Sequence, residues 1–333
     1  MEDDRISLAH GNGGRFMREL IEEVFARHLA NSELDTEADA VPIALNGGEA
    51  MITTDGFTVQ PLEFPGGDIG SLAIHGTVND LAVAGARPLY LTLNAFIEEG
   101  LEIAVLDRIV ESLAKAADEA GVKVSAGDTK VLRRGEGGGL YLATTGVGVR
   151  LPGIKPSMKL IQDGDVLLIS GSVGDHGTAV MLAREAFGLR GDVRSDSACV
   201  IPLTEAMMKF DGLRFMRDPT RGGLASVANE IVRATGFGVR LEPTVPVTEP
   251  VQSVCDMLGY DPYYLACEGR VVAVIDPDQA DAALDKWRSL GAGRGAARIG
   301  RITSDSKRVI LETSLGGERF LEELEDDPLP RIC

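Results

Sequence analysis

From Leu151 the chain reads LPGIKPSMKLIQDGD, and this stretch constrains the fold more than any other. Prolines and glycines at this density interrupt helices and central strands, so the stretch marks a boundary. It divides 333 residues into two halves, each near the usual domain length of roughly 150 residues. In the first half, apolar positions between Phe16 and Leu29 recur at helical spacing. Strand-like runs follow from Val41 (VPIAL) and Met51 (MITTDGFTV). Gly70 to Ala86 reads as a helix closed by Gly85 and Pro88, and PLYLTLNAFI as a strand. LEIAVLDRIVESLAKAADEAG reads as a long amphipathic helix stopped at Gly121; VKVSAGDTKV and LYLATTGVGV read as strands. In the second half, DVLLISGSVGDHG predicts a strand, a glycine-rich turn and a helix, and DPTRGGLASVANEIVRATG a turn and a helix. YLACEGRVVAVI reads as a strand, DQADAALDKWRSLG as a helix, and ARIGRI and RVILE as strands. Strands with short links in both halves favour an α+β fold over a doubly wound sheet. Residues 1–35 form an N-terminal loop and helix, 36–152 a first domain, 153–320 an α+β domain, and 321–333 a mobile tail.

The formal net charge of −18 argues against a general nucleic-acid binder, whose affinity rests on neutralising phosphates, and against an anionic membrane surface. No apolar run approaches the roughly 18 residues of a membrane span, and MEDDRIS does not open a signal peptide. Cys199, Cys255 and Cys267 show neither CxxC nor cysteine–histidine spacing and read as reduced thiols, so a cytoplasmic setting is expected.

Three aspartates occupy turn-like sites beside small residues: Asp55 in TTDGFT, Asp80 in TVNDLA and Asp128 in AGDTK. Carboxylates on separate elements suit Mg²⁺, with water and phosphate completing its shell; each could equally cap a turn. HGNGG holds Asn12, Gly13 and Gly14 in a loop free enough to wrap phosphate with its amides, or to serve as a plain entry loop. Arg221 in DPTRGG is a further phosphate contact in the making. Lys130 follows Asp128 by two residues, which places both on one face of a strand, either beside phosphate or simply in solvent. Glu268 lies in the apolar LACEGR: buried and unpaired, it would have the raised pKa of a general base; otherwise it pairs with Arg270 or is a strand-end carboxylate. His10, His75 and His176 read as polar contacts and His28 as a surface helix residue. Cys333 ends the chain, so no prenylation box exists; a 12-residue extended tail could carry its thiol about 40 Å. At an ordinary pKa near 8.5 only a few per cent of such a thiol is ionised at neutral pH, so it needs activation within a site.

HGNGG, TTDGFTVQPLEFPGGDIGSLAIHGTVNDLAVAGARPLYL, AGDTKV, DPTRGGL, ACEGR and the terminal PRIC occur in that order along nearly the whole chain. With them the sequence resembles the HypE family of hydrogenase maturation proteins, within the ATP-binding superfamily of aminoimidazole ribonucleotide synthetase, selenophosphate synthetase and thiamine monophosphate kinase. The terminal cysteine is the feature that singles out HypE within that superfamily. The resemblance implies a two-domain synthetase-like fold whose N-terminal half builds a β-barrel-like core in a homodimer, with ATP in a cleft between halves. By motif it assigns ATP and Mg²⁺ to Asp55, Asp80 and Asp128, and the phosphate-covering loop to Asn12, Gly13 and Gly14. It makes Cys333 the carrier and sets Lys130 and Glu268 beside it. The implied reaction is ATP-dependent dehydration of a carbamoyl group on Cys333 to a thiocyanate. The carbamoyltransferase HypF would load the thiol, and a HypC–HypD scaffold would take the cyano group towards [NiFe] hydrogenase. A small-molecule synthetase or kinase of the same superfamily, or a nucleotide-gated scaffold, remains the alternative.

Overall fold

The computed structural model describes residues 4–7, 10, 19–31, 48–153, 155–184, 192–313 and 315–323. The expected VPIAL strand, Asn12, Gly13, Gly14 and Cys333 lie outside the described residues. Two compact units result: one of the described residues up to Leu81 with Ala86–Arg150, the other of Ala82–Gly85 with those from Leu151 onward.

The first unit is built on a four-stranded sheet in the order β1–β6–β4–β5, from Ala50–Phe57 (β1), Ala86–Glu98 (β4), Lys123–Leu132 (β5) and Leu140–Arg150 (β6). A two-stranded ribbon of Glu63–Phe64 (β2) and Gly67–Asp68 (β3) precedes the helix Ile69–Val83 (α1). β1 and β4 run antiparallel to β6, while β5 runs parallel to β4. The parallel pair needs a crossover, which the helix Ile103–Ala120 (α2) supplies. α2 buries Leu106, Ile109, Val110, Leu113, Ala116 and Ala117, the stripe that 3.6-residue periodicity dictates. It ends at Gly121, whose φ of 68° is the left-handed cap that glycine adopts without penalty. α1 is apolar nearly all round and lies close on the sheet: a Cβ added at Gly146 of β6 would come within 2.7 Å of Thr77 Cγ2. The helix ends at Val83, short of the Ala86 expected, and the next strand begins earlier than read, at Ala86, with Pro88 at a register shift within it.

The sheet is open in a single chain, with β1 and β5 as its edges, so these strands do not close the expected barrel-like core. Four strands cannot bring their own edges together; a barrel closes only when every edge is paired.

The second unit carries a seven-stranded sheet ordered β13–β12–β9–β11–β7–β10–β8. Its strands are Val166–Ile169 (β7), Leu213–Arg217 (β8), Gly238–Leu241 (β9), Val272–Ile275 (β10), Ala297–Thr303 (β11), Val309–Glu312 (β12) and Glu318–Phe320 (β13). Only the β9–β12 pair is parallel. β7 and β10 are buried on both faces, which is why they read as unbroken apolar runs rather than alternating ones. Leu167, Ile169, Val272 and Val274 face the helix Gly223–Thr235 (α5), which contributes Leu224, Val227 and Ile231. Val166, Leu168, Ala273 and Ile275 face the helices Ile201–Met207 (α4) and Ala280–Arg288 (α7). Trp287 of α7 is fully buried there, and its indole N–H donates to the Leu203 carbonyl at 3.0 Å. The helices Asp175–Ala183 (α3) and Glu249–Leu258 (α6) complete this unit. The mixed α+β character expected for both halves is what the chain adopts.

The segment read as mobile from residue 321 is anchored at its start. Leu321 is buried, its N–H donates to Val309 O at 3.1 Å, and its carbonyl accepts from Asn229. Glu323 pairs with Arg233 and the Glu322 carbonyl accepts from Tyr264. β13 extends the sheet by one strand, so the chain stays fixed for three residues beyond the expected end.

Candidate functional site

In the first unit, Thr53, Asp55 and Phe57 alternate onto the face of β1 that meets α1. Asp80, on α1, accepts a hydrogen bond from Thr53 Oγ1 at 2.9 Å. Gly76, one turn earlier on the same helix face, lies beside Asp55: a Cβ there would stand 3.8 Å from Asp55 Oδ2. The structure therefore gathers Asp55 and Asp80 along one seam. Asp55 accepts from the Gly56 N–H at 2.7 Å but lies within β1, so it caps no turn, contrary to the turn-like reading.

Asp128 is elsewhere. It lies on β5 opposite Asn94, and Lys130 lies opposite Phe96, both on the sheet face turned away from α1; Leu93 and Thr144 occupy the helix face with Asp55. Three strand spacings separate β1 from β5, about 14 Å. The three-aspartate metal set is thus not assembled by one chain, and no cluster of three or more metal-ligating side chains occurs among the described residues. The physical reason is strand parity: Asp55 and Asp128 fall on opposite faces of one sheet. Asp128 pairs instead with Lys130, Nζ to Oδ2 at 3.1 Å, both more than half exposed. Two carboxylates remain at the β1–α1 seam. Oxygen-only donors of that number fit Mg²⁺, which takes one or two carboxylates and fills its shell with water and phosphate.

In the second unit Glu268 is buried, 3% exposed. It does not lie on a strand, as read, but on a bend ahead of β10. The backbone N–H groups here leave the ladder to bond elsewhere. Cys267 N donates to Pro219 O at 3.0 Å; Glu268 N and Gly269 N donate to the two oxygens of Asp196, at 3.2 and 3.3 Å. Arg270 pairs with Asp196 (3.4 Å) and Asp175 (3.5 Å), so its ion pairs run past Glu268. Burial raises the Asp196 carboxyl above its ordinary value, opposed by Arg270 and the two amides, and burial likewise raises Asp175. The neighbouring Cys267 thiol is pushed well up, chiefly by burial, and accepts from Gly174 N at 3.3 Å. It is therefore an inert core thiol. Arg221 is exposed in the loop just before α5. That loop is braced on the same segment, because Gly223 leaves no room for a Cβ against Leu265 O and Tyr263 O.

His10, His75 and His176 are buried, and burial lowers His75 to about 4. His28 is more enclosed than expected, its Nε2 lying 2.9 Å from Asp107 Oδ1. Asp175, Asp196 and Thr53 escaped the sequence reading. Each is a lone polar residue without motif spacing, and only its partner in space reveals it.

Family models match both halves: AIR synthase related protein, N-terminal domain, over residues 37–150, and AIR synthase related protein, C-terminal domain, over residues 162–312. Among curated relatives, the carbamoyl dehydratase HypE of Azotobacter vinelandii is 46% identical over 336 residues, covering 100% of this chain and 98% of the relative. Among solved structures, a hydrogenase maturation protein HypE in complex with ATP superimposes with a TM-score of 0.93 at 43% identity, covering 98% of this chain and 99% of the other. The chain matched in a HypE–HypF complex gives a TM-score of 0.80 at 44% identity, covering 92% and 99%.

Proposed function

The chain belongs to the carbamoyl dehydratase HypE family, and from that premise we propose that it dehydrates a carbamoyl group carried on its own Cys333 to a thiocyanate, consuming ATP. The observation that carries the reading furthest is Glu268: a carboxylate 3% exposed, on a bend whose backbone is tied down on both sides. A base held away from water at a fixed point is what removal of two N–H protons requires.

The chemistry follows from the leaving group. Oxide cannot leave the carbamoyl carbon; phosphate can. The carbamoyl oxygen takes the γ-phosphoryl group of ATP, ADP departs, and Glu268 accepts a proton from nitrogen. The C–O bond then breaks, the departing phosphate takes the second proton from nitrogen, and S–C≡N remains. Asp55 and Asp80 are the residues proposed to hold Mg²⁺ with the triphosphate. That ion would neutralise charge on the transferring phosphoryl group. Lys130, kept near Asp128, is assigned to the carbamoyl oxygen. Asn12, Gly13 and Gly14 are assigned to the phosphates with Arg221, and Asp128 to the ATP site, where a cation would have to stand between its carboxylate and phosphate. HypF is the proposed donor, in keeping with the relative solved in complex with it, and a HypC–HypD scaffold the proposed acceptor. A homodimer is proposed through the first unit, whose edge strand β1 leaves Ile52 74% exposed. The cytoplasm is the proposed compartment, in keeping with three cysteines that show neither CxxC nor cysteine–histidine spacing. No helix among the described residues is long and apolar enough to cross a membrane.

Intact-mass measurement tests the reaction. With HypF, carbamoyl phosphate and ATP, Cys333 should gain a carbamoyl group and then lose the mass of one water only when ATP is hydrolysable. ATP consumption without an adduct on Cys333 refutes the reading in favour of a small-molecule synthetase.

A further inference from the structure

We propose that Asp196 is a positioning residue for this reaction: it fixes the bend that carries Glu268 and, through Arg270, ties that bend to the start of α3. The inference rests on Glu268 being the base. Three features of the Asp196 segment lead to it. The Asp196 side chain is 1% exposed, and its two oxygens accept from successive backbone N–H groups, Glu268 and Gly269. A carboxylate spanning two consecutive amides fixes a peptide plane, not merely a distance. The contact is also interlocked sterically: a Cβ on Gly269 would lie 1.9 Å from the Asp196 carbonyl oxygen, so the two segments touch backbone to backbone.

The clamp has its own supports. Arg270 Nε donates to the Ser172 carbonyl at 3.0 Å and lies 3.4 Å from Asp196. Its Nη2 reaches Asp175, which is held by Ser172 Oγ and, at 3.2 Å, by Thr248 Oγ1. On the other side, Ser195 Oγ accepts from Ser197 N at 3.0 Å and lies 2.9 Å from His176 Nδ1. A buried charge is expensive, and apolar packing could have closed this gap at no such cost. What the carboxylate adds is directional: it sets where the next side chain, Glu268, leaves the backbone. Misplacing a reacting group by 1 Å can cost about 100-fold in rate.

The test is single-turnover dehydration of carbamoylated full-length protein, followed by intact mass across a range of ATP concentrations. Asp196→Asn keeps the shape but turns an amide N–H₂ toward one of the backbone donors and loses the pair with Arg270. Its maximal rate should fall about 10–100-fold while the half-saturating ATP concentration stays within about threefold. Arg270→Lys, which cannot reach both carboxylates and the Ser172 carbonyl, should repeat that split and serves if Asp196→Asn does not fold. Residues that act as a unit are not additive, so adding Asp196→Asn to Glu268→Gln should cost no further residual rate. A wild-type maximal rate in both single variants, or full additivity in the double variant, overturns the proposal while leaving Glu268 as the base. A wild-type rate in Glu268→Gln removes the base and, with it, the proposal.

Discussion

Gly269→Ala puts the geometry of the bend under direct strain. The added methyl would stand 1.9 Å from Asp196 O and 3.0 Å from Ala198 N, and both partners are backbone atoms that cannot rotate away. Restoring an ordinary carbon–oxygen contact near 3.5 Å requires the two segments to part by about 1.5 Å. Overpacking of this kind costs about 1–3 kcal/mol, or a melting temperature lower by about 2–12 °C for a domain of this size. The kinetic effect should be larger than the thermodynamic one. A displacement of that size moves the Glu268 carboxylate out of hydrogen-bonding reach, and the rate should drop about 100-fold or more. Thermal melting would be read beside single-turnover dehydration at a temperature where the variant is fully folded. A variant that melts lower but dehydrates at the wild-type rate would refute the reasoning, since the bend would then have moved without consequence for the base.

Glu268→Gln should cut conversion of the carbamoyl adduct to a small residual rate while nucleotide binding, followed by calorimetry, stays intact; lost binding would make the residue structural. Asp80→Ala should weaken Mg²⁺-dependent ATP binding far more than ATP binding in EDTA, and equal losses in both would remove the metal role. Lys130→Ala should leave the melting temperature unchanged, because its pair with Asp128 is exposed, yet slow dehydration. His75 is held neutral by burial, with its pKa lowered from about 6.5 to about 4, so the unfolded chain binds the proton first. The group leaves stability untouched above pH 6.5, and stability falls by about 3 kcal/mol as pH drops toward 4, because only the unfolded chain gains the proton. The stability difference between wild type and His75→Gln should therefore shrink across that window, and a pH-independent difference would contradict the assignment.

Periodicity was a sufficient guide wherever one face decides an element. α2 is legible because Leu106, Ile109, Val110 and Leu113 must share a side, and Gly121 because a helix end needs a left-handed residue. β9 and α4 are too short, at four and seven residues, for a period to stand out. α6 buries only Val251, Val254 and Cys255, so three apolar positions carry its whole helical signal. Glu268 was recognisable as a buried carboxylate, but the strand assigned to it was wrong. Apolar neighbours signal burial equally on a strand and on a bend, and the hydrogen bonds that make it a bend come from Asp196, 72 residues away. Asp55, Asp80 and Asp128 stand on separate elements, yet within β1, α1 and β5 rather than at the turn-like sites their small neighbours suggest. Which face of the sheet each occupies depends on register, and register is a property of strand pairing rather than of any one segment.

That parity has a consequence for how the site is completed. Asp55 and Asp80 share the helix face at edge strand β1, whereas Asp128 and Lys130 share the opposite face on edge strand β5. About 14 Å of sheet separates the two pairs, more than a lysine side chain spans, so within this sheet one chain does not offer all four groups to the same phosphate. If a second copy supplies the missing pair, the defects of Asp80→Ala and Lys130→Ala should complement one another. In a randomly exchanged mixture half the dimers are mixed, and each mixed dimer holds one site with both groups intact. The mixture should then recover about a quarter of the wild-type rate. Each variant alone should remain slow. A mixture no faster than its components, with subunit exchange verified by native mass spectrometry, would instead mean that each chain works with only the pair it can present by itself.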